Sequence, residues 1–484
     1  MLVVILIDAV IIATLATVAA RHGLEKALPY FAFFVVLLPE ESRLSFAGAF
    51  DLYSRRLALA TLLVLFFVYR KKDAIRQIPM AELICLQIVW ALVSTACSIV
   101  LATSVKQLLA QVLEYYVLYY IILKTVTSEK TIIKVLGALV AGMGVCSIFG
   151  LFDVYLNWSI LSIFPAELQL TYGGGSALYQ EMFDRGVRAR STFPHPIHLG
   201  GALAMTIPFA IYLATTARTA SRKWLFNGTL FLMFLALYKT SSRGPWIAAA
   251  FGLAILLFAA DRRMRKRLLG IGALAALVLV LRPGILDTLV NMYRASMDTN
   301  SMMGSSANYR TVLFRTVTST LNGDLARAAV GFGMGSFREK GLVLELPGID
   351  THRWFTCDST WILFAYELGY IGLALMAAVL MKPAAMAVRT FRRLSPSDRY
   401  LGLVFFSSLA VFYVVMISVA IYGWGQTGYI MWTVISMSVA YGALKTSNAR
   451  KPAGPDAAAL EPAGEPVGVA ANVHSAAYFW DPRE

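Results

Sequence analysis

Long apolar runs separated by short polar or basic clusters dominate the chain. A helix that crosses a bilayer needs about 20 predominantly apolar residues. On that criterion spans are expected at about 2–20, 27–39, 57–69, 82–102, 107–123, 135–157, 199–216, 224–238, 244–260, 268–281, 359–381, 400–420 and 428–444. The second and third are short for a span. The ten-residue alternation of a membrane β-barrel is absent. The pattern therefore predicts an all-α, polytopic membrane protein with about 12–14 transmembrane helices. Met1–Ala20 has no basic residue ahead of it and no convincing small-residue cleavage site, so it reads as a first span rather than a signal peptide. One polar-leaning stretch of roughly 75 residues, Arg282 to Asp358, interrupts the pattern between the tenth and eleventh spans. An ordered loop of that length between helices is rare without a function. The expected organisation is a membrane domain over 1–445, including the large loop 283–357, and an Ala-, Pro-, Gly- and Glu-rich tail over 446–484, expected to be disordered.

Composition agrees: 58% of residues are hydrophobic and 15% charged. The formal charge of +15 invites a nucleic-acid partner, but its arrangement argues against one. Most Lys and Arg lie in short clusters between spans, as membrane topology demands. With the N-terminus outside, every inside segment is basic, for example Arg70-Lys-Lys72, Arg262–Arg267 and Lys382–Arg399. The large loop then lies outside the cytoplasm and the C-terminus inside. The four cysteines form no CxxC pair, so neither disulfides nor a cysteine metal site is expected.

The candidate chemistry is cationic and falls in the outside segments. Arg188-Ala-Arg-Ser-Thr-Phe-Pro-His-Pro-Ile-His198 places Arg188, Arg190, His195 and His198 at the start of the seventh span. Its prolines are expected to hold the backbone extended. Arginine suits phosphate because its planar fork binds two oxygens and keeps its charge; the bland alternative is snorkelling to lipid headgroups. His195 and His198 have a spacing that a metal could use, but no carboxylate cluster joins them, and no metal is assigned. Thr240-Ser-Ser-Arg-Gly-Pro-Trp246 offers Arg243 at a tight turn, with Pro245 near the first helical turn. In the large loop, Arg310 and Arg315 lie on a segment that reads as a helix. A glycine cluster, Gly331-Phe-Gly-Met-Gly-Ser-Phe337, lacks the GxxxxGK[ST] pattern of a nucleotide loop and reads as an aromatic-flanked turn. Asp358 or Ser359 can cap the eleventh span. Asp358 can instead serve as a general base, although a helix N-terminus would lower its pKa. Asp153 and Glu367 are carboxylates inside spans, which marks each as a functional suspect.

Taken in order, these residues resemble the O-antigen ligase superfamily, which includes Wzy-type polysaccharide polymerases. The resemblance covers roughly 80–380. It rests on the Arg-Ser-Thr-Phe-Pro-His-Pro run at 190–196, Ser-Arg-Gly at 242–244, Arg310 early in the loop, the GFGxGxF turn, and Gly369-x-x-Gly372. It implies an enzyme of the bacterial inner membrane, N-terminus periplasmic and C-terminus cytoplasmic, that uses an undecaprenyl-diphosphate-linked glycan without a cofactor. Arg190 and Arg310, with Arg243 beside them, would bind the diphosphate. Arg188, His195, His198, Arg315 and His352 are further candidates for substrate contact. Ligases of the family carry His-Asn nine residues before the Gly-x-x-Gly, where Asp358-Ser359 stands here. That departure favours the polymerase branch, in which glycosyl transfer is inverting and metal-independent and Asp358, Arg190 and Arg310 are the catalytic set. The alternatives are ligation of the glycan to a lipid or protein acceptor and, in another class, transport of the lipid-linked oligosaccharide. Membrane lipids and other assembly proteins, such as a chain-length regulator, are the implied partners.

Overall fold

The computed structural model describes residues 2–46, 50–69, 77–169, 186–259, 262–281, 290–291, 294, 302–345, 352–394, 399–422 and 425–449. Its helices, in chain order, are α1 (Leu2–His22), α2 (Leu28–Leu37), α3 (Ser54–Tyr69), α4 (Ala81–Ala96), α5 (Leu101–Ala110), α6 (Val117–Thr125), α7 (Glu129–Tyr155), α8 (Pro196–Thr216), α9 (Ala220–Lys239), α10 (Arg243–Ala259) and α11 (Arg262–Leu281). In the large loop follow α12 (Met302–Asn322), α13 (Leu325–Val330) and α14 (Ser336–Lys340), and then α15 (Thr360–Arg393), α16 (Arg399–Ser418) and α17 (Gly425–Ala449) complete the bundle. Each expected span falls on a helix. The protein is an all-α polytopic membrane protein, and among the described residues five helices (α1, α7, α8, α15 and α16) are long and apolar enough to cross a bilayer by themselves. The expected tail from 446 lies almost wholly outside the described residues.

Two elements differ from expectation. The span expected over 82–102 ends at Ala96, and the chain turns through Cys97–Val100 before α5 begins. That turn exists because Ser98 and Ser104 bind the glycine cluster, as set out below. Between α5 and α6 the chain forms a π-helical turn, Gln111–Tyr116, which lets the adjacent Tyr115 and Tyr116 both point inward.

Two short antiparallel hairpins complete the described residues. One pairs β1 (Arg43–Phe46) with β2 (Phe50–Tyr53), the other β3 (Leu342–Leu344) with β4 (His352–Trp354). Helix α8 is central and almost wholly buried, packed by α7, α9, α10 and α16. Small residues bring these helices close. A Cβ on Gly252 of α10 would overlap Val411 of α16, and one on Gly244 would overlap Ser418. Hydroxyls add bonds between helices: Ser407 donates to the Gly252 carbonyl and Ser408 to that of Met205, both at 2.8 Å.

The loop is bound to the bundle through a break in α15. Gly369 has φ 70° and ψ 179°, which interrupts the helix and strips the preceding carbonyls of their helical partners. Others replace them. The N–H groups of Phe332 and Gly333 donate to the carbonyls of Tyr366 and Glu367 at 3.0 and 2.9 Å. Ser94 of α4 also donates to the Glu367 carbonyl, at 2.9 Å, and the Trp90 indole to that of Leu368, at 3.0 Å. The turn is tied to the start of α5 as well, since Ser98 and Ser104 donate to the carbonyls of Phe332 and Met334. Only glycine fits here: Gly331, Gly333 and Gly369 all have positive φ, and a Cβ on any of them would strike a neighbouring segment. Gly369→Ala is therefore expected to destabilise the protein by about 1–3 kcal/mol. Gly137→Ala, on open space in α7, should be neutral or slightly stabilising. Thermal unfolding of the two variants in detergent checks the pair.

Candidate functional site

The segment that leads into α8 sets the first wall. Ala189 N–H donates to the Lys239 carbonyl at 3.0 Å, which lays this segment beside the end of α9. Arg188 clasps the α9–α10 turn, its Nε donating to the Thr240 carbonyl at 2.8 Å and its Nη2 to Ser242 Oγ at 2.7 Å. Residues 190–193 do not run extended as expected. Phe193 N–H closes a turn on the Arg190 carbonyl at 3.0 Å, with Ser191 at φ 55°. The cause is Asp153 at the end of α7, whose Oδ2 accepts from the N–H groups of Arg190 and Ser191 at 2.9 and 2.6 Å. Extended backbone returns at His195, ahead of Pro196.

His195 is the N-cap of α8. Its Nδ1 accepts from Ile197 N–H at 3.2 Å, which assigns the proton of the neutral ring to Nε2. His198 lies buried beneath it, the two ring centroids 6.4 Å apart. Arg243 is the first residue of α10, half-buried, with Pro245 in the first turn as expected. Gly244, next in the chain, packs on Ser418 at the end of α16.

The loop supplies the second wall. Helix α12 presents Tyr309, Leu313, Val317 and Leu321 as a buried stripe that packs with Phe337, Leu344, Ala365 and Tyr366. Four-residue spacing is what an amphipathic helix requires. Beside that stripe, the Arg310 guanidinium reaches Asp358 Oδ2 at 3.5 Å and the Ser418 carbonyl at 3.2 Å. The Tyr309 hydroxyl donates to the Thr356 carbonyl at 2.5 Å, fixing α12 against the chain just ahead of Asp358.

The cap of α15 is Ser359, whose Oγ accepts from Ile362 N–H. Asp358 is thereby released from capping and faces Arg310, with His195 close enough to act on its charge. The side chain keeps 44% of its surface open, yet it is surrounded by protein. Desolvation raises its pKa above the ordinary carboxylate value; Arg310 and His195 oppose that rise without cancelling it. The lowering expected from the helix terminus is not the dominant effect.

The structure thus brings Arg310, Asp358 and His195 together, with His198 beneath, and Ser418, whose carbonyl Arg310 binds, packs on Gly244 beside Arg243. Arg190 stands on the adjoining turn, and Arg188 is engaged in holding the backbone. Arg315 is exposed, about 140° around α12 from Arg310, and is not part of this group. His352 has its backbone in β4; its side chain lies outside the described residues. Sequence reasoning named Thr240 only as the start of a turn and did not find Ser418, since an acceptor carbonyl leaves no mark on residue type. It singled out Asp153 only as an intramembrane carboxylate.

Residues 228–377 match the family model described as O-Antigen ligase. Over that stretch the chain is similar to O-antigen ligases. That family is associated with glycosyl transfer of the ligase or polymerase type. The match runs from α9 into α15 and takes in Arg243, Arg310, the glycine cluster and Asp358. Arg188, Arg190, His195 and His198 lie upstream of it. No curated protein matches the chain.

Ser359→Ala removes the cap of α15 and is expected to cost about 1 kcal/mol of stability. Asp358→Asn should cost nothing at pH 7 and can raise stability slightly. A carboxyl whose folded pKa is raised favours the fold below the ordinary carboxylate range, and that contribution is lost as pH rises through the folded pKa. Asn removes the charge that the fold disfavours. Thermal unfolding at pH 5 and pH 7.5 separates the two residues.

Proposed function

We propose that the protein polymerises undecaprenyl-diphosphate-linked oligosaccharide units into a surface polysaccharide, by inverting glycosyl transfer at the periplasmic face of the bacterial inner membrane. The observation that carries the reading is the Arg310–Asp358–His195 group, set at one end of the bundle and bordered by Arg190 and Arg243. Departure of a lipid diphosphate from an anomeric carbon concentrates negative charge on the leaving group. Fixed guanidinium groups stabilise such charge best where water is sparse. The attacking hydroxyl of the acceptor sugar must lose its proton. Asp358 suits that role because it is not a helix cap and because its raised pKa makes it a stronger base than an ordinary carboxylate. Arg310 touches both tasks, orienting Asp358 and offering a guanidinium to the diphosphate. Charge in the short connections supports the orientation, with the loop outside and the C-terminus inside.

A second reading, transfer of a finished glycan to a lipid or protein acceptor, is favoured by the family description itself. The two differ in product. Purified protein in nanodiscs would be given the lipid-linked repeat unit alone, with and without EDTA. A ladder of longer lipid-linked glycans is expected, unchanged by EDTA. No ladder, but transfer once an acceptor is added, would replace polymerisation by ligation. Arg190→Ala and Arg310→Ala should each lower the rate on the order of 10²–10³-fold; full rates in both would refute the site. If ionised Asp358 is the base, the rate rises with pH through its raised pKa. Arg310 lowers that pKa, so the acid limb of the residual activity of Arg310→Ala should move to higher pH, measured on the same ladder.

A further inference from the structure

The carboxylate of Asp153 has no part in the chemistry above, yet it is 5% exposed inside a membrane helix. Burying a charge there is expensive and needs compensation. Two backbone N–H groups supply it, those of Arg190 and Ser191, at 2.9 and 2.6 Å on the same oxygen, Oδ2. Both belong to the one turn in the described part of the segment that carries a substrate-facing arginine. Ser191 is held at φ 55°, a conformation that a serine adopts only under constraint. Gly150, one helical turn before Asp153, lets the turn sit against α7: a Cβ there would press on Ala189 and Leu199. From a second helix, Gln426 at the start of α17 donates to Thr192 Oγ1 at 3.1 Å. The turn is therefore held by two helices, α7 and α17, while the Arg190 side chain remains half-buried.

We propose that Asp153 is the positioning residue for Arg190: it fixes, through two backbone hydrogen bonds, the left-handed turn that sets where the guanidinium stands. The inference rests on the site assigned above. Asn keeps an acceptor oxygen in the same place, whereas Ala does not. Glycine at 191 would hold the turn without strain. These properties define the test. Hydrogen exchange over residues 186–199, measured by mass spectrometry without substrate, should accelerate about tenfold or more in Asp153→Ala and stay near wild type in Asp153→Asn. Adding Ser191→Gly to Asp153→Ala should restore part of the protection. Glycosyl transfer should fall on the order of a hundredfold in Asp153→Ala, recover in Asp153→Asn, and show no further loss when Asp153→Ala is placed in an Arg190→Ala background. If Asp153→Ala does not accumulate in the membrane, Asp153→Ser, whose short hydroxyl cannot serve both amides, carries the same expectations. Unchanged exchange in the Ala or Ser variant overturns the proposal, as does a full additional loss of rate on top of Arg190→Ala. The expected exchange pattern in a protein that transfers no glycan refutes the enzymatic reading and leaves the anchoring supported.

Discussion

The break at Gly369 is the constraint on which the capped end of the molecule depends. A membrane helix that loses its hydrogen bonds midway must find other donors, because lipid offers none. Here the donors come from the loop, through Phe332 and Gly333, and from α4, through Trp90 and Ser94. The loop cannot lift from the bundle without leaving the carbonyls of Tyr366 and Glu367 short of partners, so helix and loop are stable only together. The Glu367 carboxylate strengthens the junction by interacting with the backbone amides of Gly335 and Phe337. An intramembrane carboxylate is a default functional suspect; here its neighbours give it the task of holding a turn.

From that junction the order propagates to the site. Phe332 stacks on Tyr366 with centroids 4.7 Å apart, and Phe337 meets the same ring edge-on at 5.2 Å. Phe337 and Tyr366 form the surface on which the Tyr309–Leu313 stripe of α12 packs, and Arg310 follows Tyr309 directly. A guanidinium 3.5 Å from Asp358 is thus located by apolar contacts and backbone bonds, not by the ion pair alone. The other wall uses the same economy. Asp153 binds backbone beside Arg190, and Arg188 binds backbone beside Arg243, so in each case a charged side chain fixes the turn from which another projects.

Much of this was legible in the sequence, and the limits have physical causes. Apolar run length revealed the helices because a bilayer-crossing segment needs a long apolar run, even though the helices differ in length from α2 to α15. Arg310 on a helix and Pro245 in a first turn followed from local rules. The break between α4 and α5 did not, since Ile99 to Thr103 is as apolar as a span and the turn is dictated by Ser98 and Ser104 meeting a segment more than 200 residues away. The turn at Arg190 was likewise hidden. Two prolines argued for extended backbone, and a carboxylate 38 residues earlier overrode them at Ser191. Ser359 rather than Asp358 as the cap was undecidable from residue type, because both cap well; the geometry chose serine and left the acid to the site.

The arginines near this end of the bundle divide by what holds them. Arg55 pairs with Glu40 at 2.7 Å, with side chains 3% and 9% exposed, and Arg56 pairs with Glu114 at 2.7 Å. A closed, desolvated pair such as Arg55–Glu40 is costly to break, because either partner alone would be a buried charge. It serves the fold and has nothing to offer a substrate. Arg310 and Asp358 stand farther apart, at 3.5 Å, and keep 28% and 44% of their side-chain surface open. Such a pair is weak, so each member can take a better partner at small cost; on the proposed function these would be a diphosphate oxygen for Arg310 and the hydrogen of a sugar hydroxyl for Asp358. An anion drawn to Arg310 would also remove part of the field that lowers the Asp358 pKa, which makes the carboxylate more basic once the donor is in place. On the proposed function, the looseness of this pair is therefore the property that would couple binding of the donor to readiness of the base.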